Sequence, residues 1–405
     1  MTNHTHEIID VQQTTCCIVG GGPAGVVLGL LLARQGIPVT LLELHQDFDR
    51  DFRGDTIHPS VMEIMAQIGL ADRLLELPHS KVRTLKLNSP TGDITLTDFS
   101  RLKTAYPYIT ILPQAKFLEF IATEAQQYPN FNLIMGANVQ EIIEEDRVVS
   151  GIRYRGHGGW HEVRALLTVG ADGRFSRMRQ LAGFEPIKTS PPMDVMWFRL
   201  PRKSEEPNGL SGRVGNGKMV VLLDRSDFWQ VGYMISKGAF AQLRTAGIDF
   251  LRKSLVELVP EFSDRSHLLQ DWSNIAFLSV ESSRLPKWYL PGLLFIGDAA
   301  HVMSPVAGVG INYAIQDAVV ATNILSEPLK RGSWHLWDLA EVQRQREFPT
   351  TVIQWFQGLA QKRMIARALN QNQQFTIPAF LRLPILRDIL ARLIAFGIAP
   401  VRLNS

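Results

Sequence analysis

Gly20-Gly21-Gly22-Pro23-Ala24-Gly25, with the carboxylate Glu43 following, is the set of residues in this chain best suited by type and spacing to chemistry. The run fits G-x-G-x-x-G, and the acid stands about twenty positions further on. Gly20 permits a tight turn, Gly22 lets backbone amides approach a pyrophosphate with no Cβ in the way, and Gly25 lets a helix lie close to a sheet. Pro23 suits a first helical turn, where its missing N–H would be unbonded anyway, and Ala24 continues that turn. The free amides and positive dipole end of such a helix favour phosphate. Glu43, when ionised, would accept hydrogen bonds from a ribose diol. The elements that must position these groups are legible around them. Residues 16–19 are an apolar run of strand length, 26–34 a helix that is apolar nearly all round and stopped by Gly36, and 39–42 a second strand. A glycine-rich loop in an ordinary α/β turn leaves Glu43 unexplained. Strand, helix, strand and acid together make a dinucleotide-binding unit.

The chain of 405 residues has room for two or three domains and a substantial core. A hydrophobic share of 45% and a charged share of 20% describe a soluble globular protein, and a net charge of +3 argues against nucleic acid as a partner. Its two cysteines, Cys16 and Cys17, are adjacent in the first strand and point to opposite faces. A mutual disulfide is therefore excluded, and a reducing compartment is expected. Residues 1–13 are polar, without the apolar core of a signal peptide, and no stretch approaches the roughly twenty apolar residues of a spanning helix. The expectation is a cytoplasmic protein.

Just beyond the dinucleotide unit come Arg53, Asp55 and His58, then a helix over 59–67 opened by Pro59 and Ser60 and stopped by Gly69. Arg53 could pair bidentately with a diphosphate or be a solvated surface arginine. Short alternating segments over 82–108, with Ser89-Pro90-Thr91-Gly92 as a turn, predict an inserted hairpin. A helix is expected over 113–127, then strands at 132–135, 139–144, 148–154 and 166–169. The last ends at a loop carrying Asp172-Gly173, where strand ends gather ligands. From 190 to 284 the pattern is β-like at 195–200, 219–223, 228–235 and 274–280, interrupted by one helix-like segment at 239–259. Trp229, Val231, Tyr233 and Ile235 share one face, and Trp197 and Arg199 share a face of the earlier strand; aromatic sheet faces serve as core or as substrate contacts. Residues 293–301 are a buried strand ending in Gly297-Asp298. The loop through Pro305 and Gly308 then opens a helix over 311–325, aiming a second helix N-terminus at whatever Asp298 touches. Residues 335–405 are mostly helical with breaks at Pro378 and Pro384. From Lys362 onward seven Lys or Arg face Asp388 alone, and 385–396 is amphipathic, so this end either closes the core or contacts an anionic membrane or apolar partner.

The glycine motif with Glu43, the Asp172-Gly173 loop, and Gly297-Asp298 with Pro305 and 308–312 occur in an order that resembles the class A FAD-dependent aromatic monooxygenases, the para-hydroxybenzoate hydroxylase-like family. That resemblance implies an α/β fold: a Rossmann-like FAD-binding domain (GR2 type) built from 14–81, 110–189 and 285–330. It adds an inserted antiparallel-sheet substrate domain from 82–109 and 190–284, and a C-terminal helical region over 331–405. It also implies FAD, with Glu43 on the adenosine ribose, Arg53 near the pyrophosphate, Val139 near the adenine and Gln114 beside the dinucleotide. Asp298 would bind the ribityl chain, Pro305 would lie beside the flavin ring, and Gly308 with the backbone of Gly310, Ile311 and Asn312 would meet the pyrimidine end. Asp172 would serve both FAD binding and NAD(P)H use. The implied reaction uses NAD(P)H and molecular oxygen to hydroxylate a small aromatic or polyketide-like molecule through a flavin hydroperoxide. There is no second G-x-G-x-x-G, so NAD(P)H would bind transiently, and the W-x-W-x-I-P motif of the related halogenases is missing. No metal-ligand spacing or Ser-His-Asp set competes. Candidates for a direct chemical role are Asp55, His58 and Tyr233. Two alternatives stay open: a same-fold reductase or epoxidase acting on an isoprenoid or quinone-like lipid, which the basic C-terminus supports, and a flavin redox sensor or electron-transfer protein. NADH versus NADPH and the oligomeric state are not legible.

Overall fold

The computed structural model describes residues 7–49, 55–207, 209–370, 372, 375–378, 381 and 383–404. Arg53 lies outside them. The chain opens with β1 (Ile8–Val19), turns through its glycines into α1 (Pro23–Arg34), and returns as β2 (Val39–Glu43), parallel to β1 with Cys16 beside Val39. Next come α2 (Pro59–Gln67), the hairpin β3 (Thr84–Asn88) and β4 (Ile94–Asp98), and α3 (Gln114–Gln126). β5 (Phe131–Met135), β6 (Asn138–Glu145), β7 (Val148–Gly156) and β8 (Gly159–Gly170) follow, and then the short α4 (Arg177–Leu181). The middle of the chain supplies β9 (Met193–Pro201), β10 (Leu210–Gly215), β11 (Lys218–Asp224), β12 (Phe228–Ser236), α5 (Phe240–Ala246), α6 (Ile248–Leu258) and β13 (Ala276–Leu278). β14 (Leu293–Phe295), α7 (Gly310–Lys330), α8 (Leu336–Ala360) and α9 (Pro384–Phe396) complete it.

One sheet is built on β1. Its order is Tyr289–Leu290, β14, β8, β1, β2, β5, with β7 and β6 added to the outer half of β8. β8 is shared: it runs parallel to β1 along its length while its N-terminal half pairs antiparallel with β7. β1 begins at Ile8 rather than at residue 16, and Gln12 lies opposite Val163 on β8. Asp10, Gln12 and Gln13 hid this extension, because a strand exposed on one face needs no apolar run. Strand alternation divides the cysteines as expected. Cys16 packs with α1 and α7, Cys17 with Phe295 and Trp288 on the other face, and both are free and fully buried. Burial pushes the Cys16 thiol up to about 12 and that of Cys17 well above its usual range, so neither is a nucleophile near neutral pH.

The second sheet runs β13-β9-β12-β11-β10-β3-β4. The early hairpin thus joins the later strands edge to edge, with Leu85 on β3 beside Leu210 on β10. β10, LSGRVG, escaped notice because two glycines and an arginine dilute its β character. The single helix expected over 239–259 is two, α5 and α6, because Gly247 between them holds φ at +92°, outside the right-handed helical region. One face of this sheet, carrying Met196, Phe198, Trp229 and Tyr233, packs on Leu251 and Leu255 of α6. The other face looks toward the first sheet across a cavity. α9 closes one side of that cavity, burying Ala391, Ile394 and Ala395 against Val82, Phe99 and Ile109. Among the described residues, no helix is long and apolar enough to cross a membrane.

Candidate functional site

A cavity of about 1150 Å³ opens where β1, β2, β8 and β14 end, the position at which open α/β sheets bind ligands. Its floor is the glycine turn. Gly20 adopts φ +110°, and a Cβ there would lie 2.5 Å from the carbonyl oxygen of Ala171; a Cβ on Gly25 would overlap the carbonyl oxygen of Gly20. Both positions require glycine, which packs α1 tightly on the turn. Gly22 differs: the nearest atom to a Cβ there is the Ala171 oxygen at 4.0 Å, so its missing side chain leaves open cavity. α1 has no side-chain cap, and Gly21, Gly22, Pro23 and Ala24 line the cavity, so its first-turn amides are available to a ligand there.

Glu43 closes β2 beside this floor. Its carboxylate accepts hydrogen bonds from the Gly21 N–H at 2.8 Å and the His45 N–H at 3.0 Å, which fix its orientation along the cavity wall. Val139 and Gln114 also line the cavity. Asp172 also borders it, but both its oxygens are engaged within its own loop, accepting from the Ser176 hydroxyl at 2.6 Å and the Met178 N–H at 2.9 Å. Burial pushes this carboxyl above its usual range while those donors pull it back. Asp172 therefore shapes the loop around Gly173 and the N-terminus of α4.

The opposite wing comes from a distant part of the chain. Asp298 lines the cavity at the turn after β14, followed by Pro305, Gly308, Gly310 and Ile311. Gly308 adopts φ +63°, and a Cβ there would meet the Thr56 hydroxyl at 2.5 Å; that hydroxyl donates to the Gly308 carbonyl at 2.8 Å. α7 begins at Gly310, again without a side-chain cap. Asn312 turns its side chain away from the cavity. Its Oδ1 accepts from the His58 N–H at 2.8 Å and its Nδ2 donates to the Thr56 carbonyl at 3.1 Å, so only its backbone belongs to the helix opening. Two uncapped helix N-termini, one carboxylate at each wing and an open glycine floor fit a dinucleotide cofactor with a charge-bearing ring at the α7 end.

The three candidates for direct chemistry fare differently. His58 is fully buried and does not line the cavity; its Nδ1 lies 2.7 Å from the Ile394 carbonyl of α9, so it carries the proton and donates. Burial lowers its pKa to about 4, keeping the ring neutral. It fastens α9 to the start of α2, set back from the cavity. Tyr233 also faces away, its hydroxyl 2.6 Å from that of Ser254 on α6. The face the sequence singled out on β12 is core, and the reverse face, with Gln230 and Met234, lines the cavity together with Met193, Val195 and Trp197 of β9. Trp197 lies against Gly232 of β12, where a Cβ would come within 2.8 Å of the indole, so the bare backbone makes room for the ring. Asp55 does line the cavity, but it is paired with Arg225 and accepts the Gln114 N–H at 3.0 Å. It ties the segment before α2 and the start of α3 to the end of β11, and burial lowers its partner Arg225 to about 10.

Sequence reasoning missed the contribution of the C-terminal region. Ile365 just after α8 and Leu390, Leu393 and Ile394 of α9 complete the apolar wall facing Trp197. The amphipathic pattern of 385–396 was the available signal, and it does not say what the apolar side covers.

Comparison with known proteins agrees with this geometry. Residues 13–355 match the family described as FAD binding domain. The chain is 30% identical to 6-methylpretetramide 4-monooxygenase of Streptomyces rimosus, over 100% of this chain and 97% of the relative. It is 26% identical to para-nitrophenol 4-monooxygenase of Pseudomonas sp. (strain WBC-3), over 82% of each. The crystal structure of p-nitrophenol 4-monooxygenase from Pseudomonas putida DLL-E4 superposes with a TM-score of 0.75 at 18% identity, covering 95% of this chain and 94% of that one, which establishes the shared fold. The chain belongs to the FAD-binding-domain family of para-hydroxybenzoate hydroxylase-like flavoproteins and is an FAD-dependent monooxygenase.

Proposed function

We propose that the substrate is a planar, largely apolar aromatic of polyketide type, hydroxylated at the expense of NAD(P)H and oxygen. The observation that carries this reading is the continuity of the cavity from the two uncapped helix N-termini to the sheet face with Trp197 and Met234. A relative matched over 97% of its own length is named for 6-methylpretetramide, which supports an aromatic, polyketide-like substrate. When bound, FAD supplies the redox chemistry with NAD(P)H and oxygen. In this reading Glu43 holds the adenosine ribose and the amides after Gly20 hold the pyrophosphate. Asp298 accepts from the ribityl hydroxyls, and the amides opening α7 stabilise charge at the pyrimidine end of the flavin. The apolar wall from β9, β12 and α9 excludes water from the reacting face. Purified protein should be yellow, release FAD on denaturation, and oxidise NAD(P)H faster with fused-ring phenols than without them. A panel of phenols, quinols and polyketide-like aromatics that yields no stimulated oxidation and no oxygenated product by mass spectrometry would reject the substrate class.

A second reading, peripheral contact with an anionic membrane, rests on Ile385 and Ile389, which are exposed on α9 among the basic residues of this end. Co-sedimentation with vesicles containing phosphatidylglycerol tests it, and equal recovery with neutral vesicles removes the electrostatic part.

A further inference from the structure

α8 mixes polarity on both faces: it buries Leu339, Val342 and Ile353, but also several polar side chains. Its exposed residues include Trp337, Phe348 and Trp355, at 71%, 65% and 66% exposure, while Gln343, Arg346 and Gln357 are buried, as is Gln361 in the turn that follows. A surface helix normally turns its apolar stripe inward. Buried amides are tolerated only where they are hydrogen-bonded. Gln343 is held by Pro286 and Trp288, whereas Gln354, Gln357 and Gln361 all reach the stretch 302–306. Gln354 Nε2 donates to the carbonyls of Val302 at 3.0 Å and Ser283 at 2.9 Å. Gln357 Nε2 donates to the carbonyls of Ser304 at 2.9 Å and Val306 at 2.8 Å. Gln361 Nε2 donates to the Ser304 hydroxyl. Backbone carbonyls only accept, so the two-carbonyl contacts fix which way the first two amides face. About two turns before Gln354 on the helix, Arg346 Nε donates to Asp317 at 2.7 Å, and Asp317 accepts the Gly297 N–H at 2.9 Å.

The stretch held in this way, 297–308, has little regular structure of its own. It consists of short helical turns at Gly297–Ala299 and Val306–Gly308 around the two-residue strand His301–Val302, with Ala307 at φ +65°. It also carries Asp298, Pro305 and Gly308, which line the cavity, whereas Gln354, Gln357 and Gln361 do not. After Gln361 the helix widens into one π-type turn, Gln361–Ile365, which brings Arg363, Met364 and Ile365 onto the cavity wall. Such turns recur at functional sites.

We propose that Gln354, Gln357 and Gln361 are positioning residues that hold the Pro305 loop from behind in the shape that receives the flavin. They set cofactor affinity and electron coupling without touching the cofactor. The inference rests on the assignment of 297–312 to the flavin end of the cavity.

The test uses the full-length protein, with and without FAD. Gln357→Met keeps the side-chain volume and strands two carbonyls. Gln345→Met, at an exposed glutamine of the same helix that bonds Glu341, is the control. In the cofactor-free protein, amides of 302–308 should exchange with deuterium at least about tenfold faster in Gln357→Met, with β1 and α1 unchanged. FAD should bind about tenfold more weakly, and at saturating FAD the visible absorption and circular dichroism of the flavin should differ from wild type. A larger share of the NAD(P)H electrons should then appear as hydrogen peroxide. Gln361→Met and Ser304→Ala remove one bond from either side, and the double variant should lose no more FAD affinity than the worse single one. Unchanged exchange in 302–308, or additive losses in that cycle, would overturn the proposal. If Gln357→Met does not fold, the Gln361 and Ser304 variants carry the test. Failure of those to fold would make α8 a general stability element and also overturn it. Faster exchange with an unaltered flavin spectrum and affinity would instead show that the ladder holds the loop while the assignment of the loop to the flavin is wrong. That assignment is checked separately by whether FAD protects 297–308 from exchange in the wild-type protein.

Discussion

His58 converts its burial into a pH dependence whose sign and window can be worked out. Its ring is fully buried, Nδ1 donates to Ile394 on α9, and Nε2 has no hydrogen-bond partner among the described residues. Burial disfavours the charged ring more than the Ile394 carbonyl favours it, so the folded-state pKa is about 4 against an ordinary 6.5. The unfolded chain therefore takes up its proton first as the pH falls. The stability contributed by the neutral ring is complete above about pH 6.5, declines through the interval down to about pH 4, and does not change further below it. At about 1.4 kcal/mol per pKa unit, the full interval is worth on the order of 3 kcal/mol. Because the ring is the pin between α2 and α9, opening of α9 should report this loss directly. Hydrogen exchange of the α9 amides, corrected for intrinsic rates, should show opening becoming easier over this interval in the wild-type protein. His58→Gln, an uncharged side chain that can still donate, should flatten the dependence. Parallel pH profiles for the two proteins would refute the assignment of a buried neutral imidazole.

Three further outcomes follow from the site. Gly22→Val should abolish FAD binding, because a branched side chain would occupy the open floor that its glycine leaves; equilibrium dialysis showing near-normal affinity would mean the loop serves another purpose. Asp298→Ala should lower FAD affinity at least tenfold while the far-ultraviolet circular dichroism stays native. Each charge-assisted bond removed is worth about 1.5–3 kcal/mol, and an unfolded variant would recast the residue as structural. Trp197→Ala should raise KM for an aromatic substrate, whereas Tyr233→Phe should leave steady-state kinetics unchanged and cost about 1 kcal/mol of stability through the lost bond to Ser254; the reverse pattern would mean the sheet faces are wrongly assigned.

What the sequence disclosed depended on whether a residue's type is dictated by the backbone or by its neighbours in space. Gly20 and Gly25 could be read because no other side chain fits a left-handed turn or a carbonyl in van der Waals contact, and Glu43 because it ends the second strand of the unit about twenty residues past the glycines. Period-two alternation on β12 separated Trp229 and Tyr233 from Gln230 and Met234 but carried no information about which set met α6 and which met the cavity. Aromatic content could not decide between them, since a core and an apolar ligand pocket ask for the same residues: Trp229 and Tyr233 went to the core and Trp197 to the cavity. α8 defeated the pattern more thoroughly. Polar residues such as Gln354, Gln357 and Gln361 read as solvent-facing in any hydropathy argument, yet the carbonyls of Ser304 and Val306 lie outside strand pairing and take their donors from Gln357, while Val302, at the end of a two-residue strand, accepts from Gln354. That demand is created by a loop some fifty residues earlier in the chain, and no window along α8 contains it. A stretch bent sharply enough to approach a cofactor gives up its own ladder of hydrogen bonds. The helix packed behind it then carries amides among its buried Leu339, Val342 and Ile353, which is why an element with no residue of the motif set is tied to the site by side-chain hydrogen bonds.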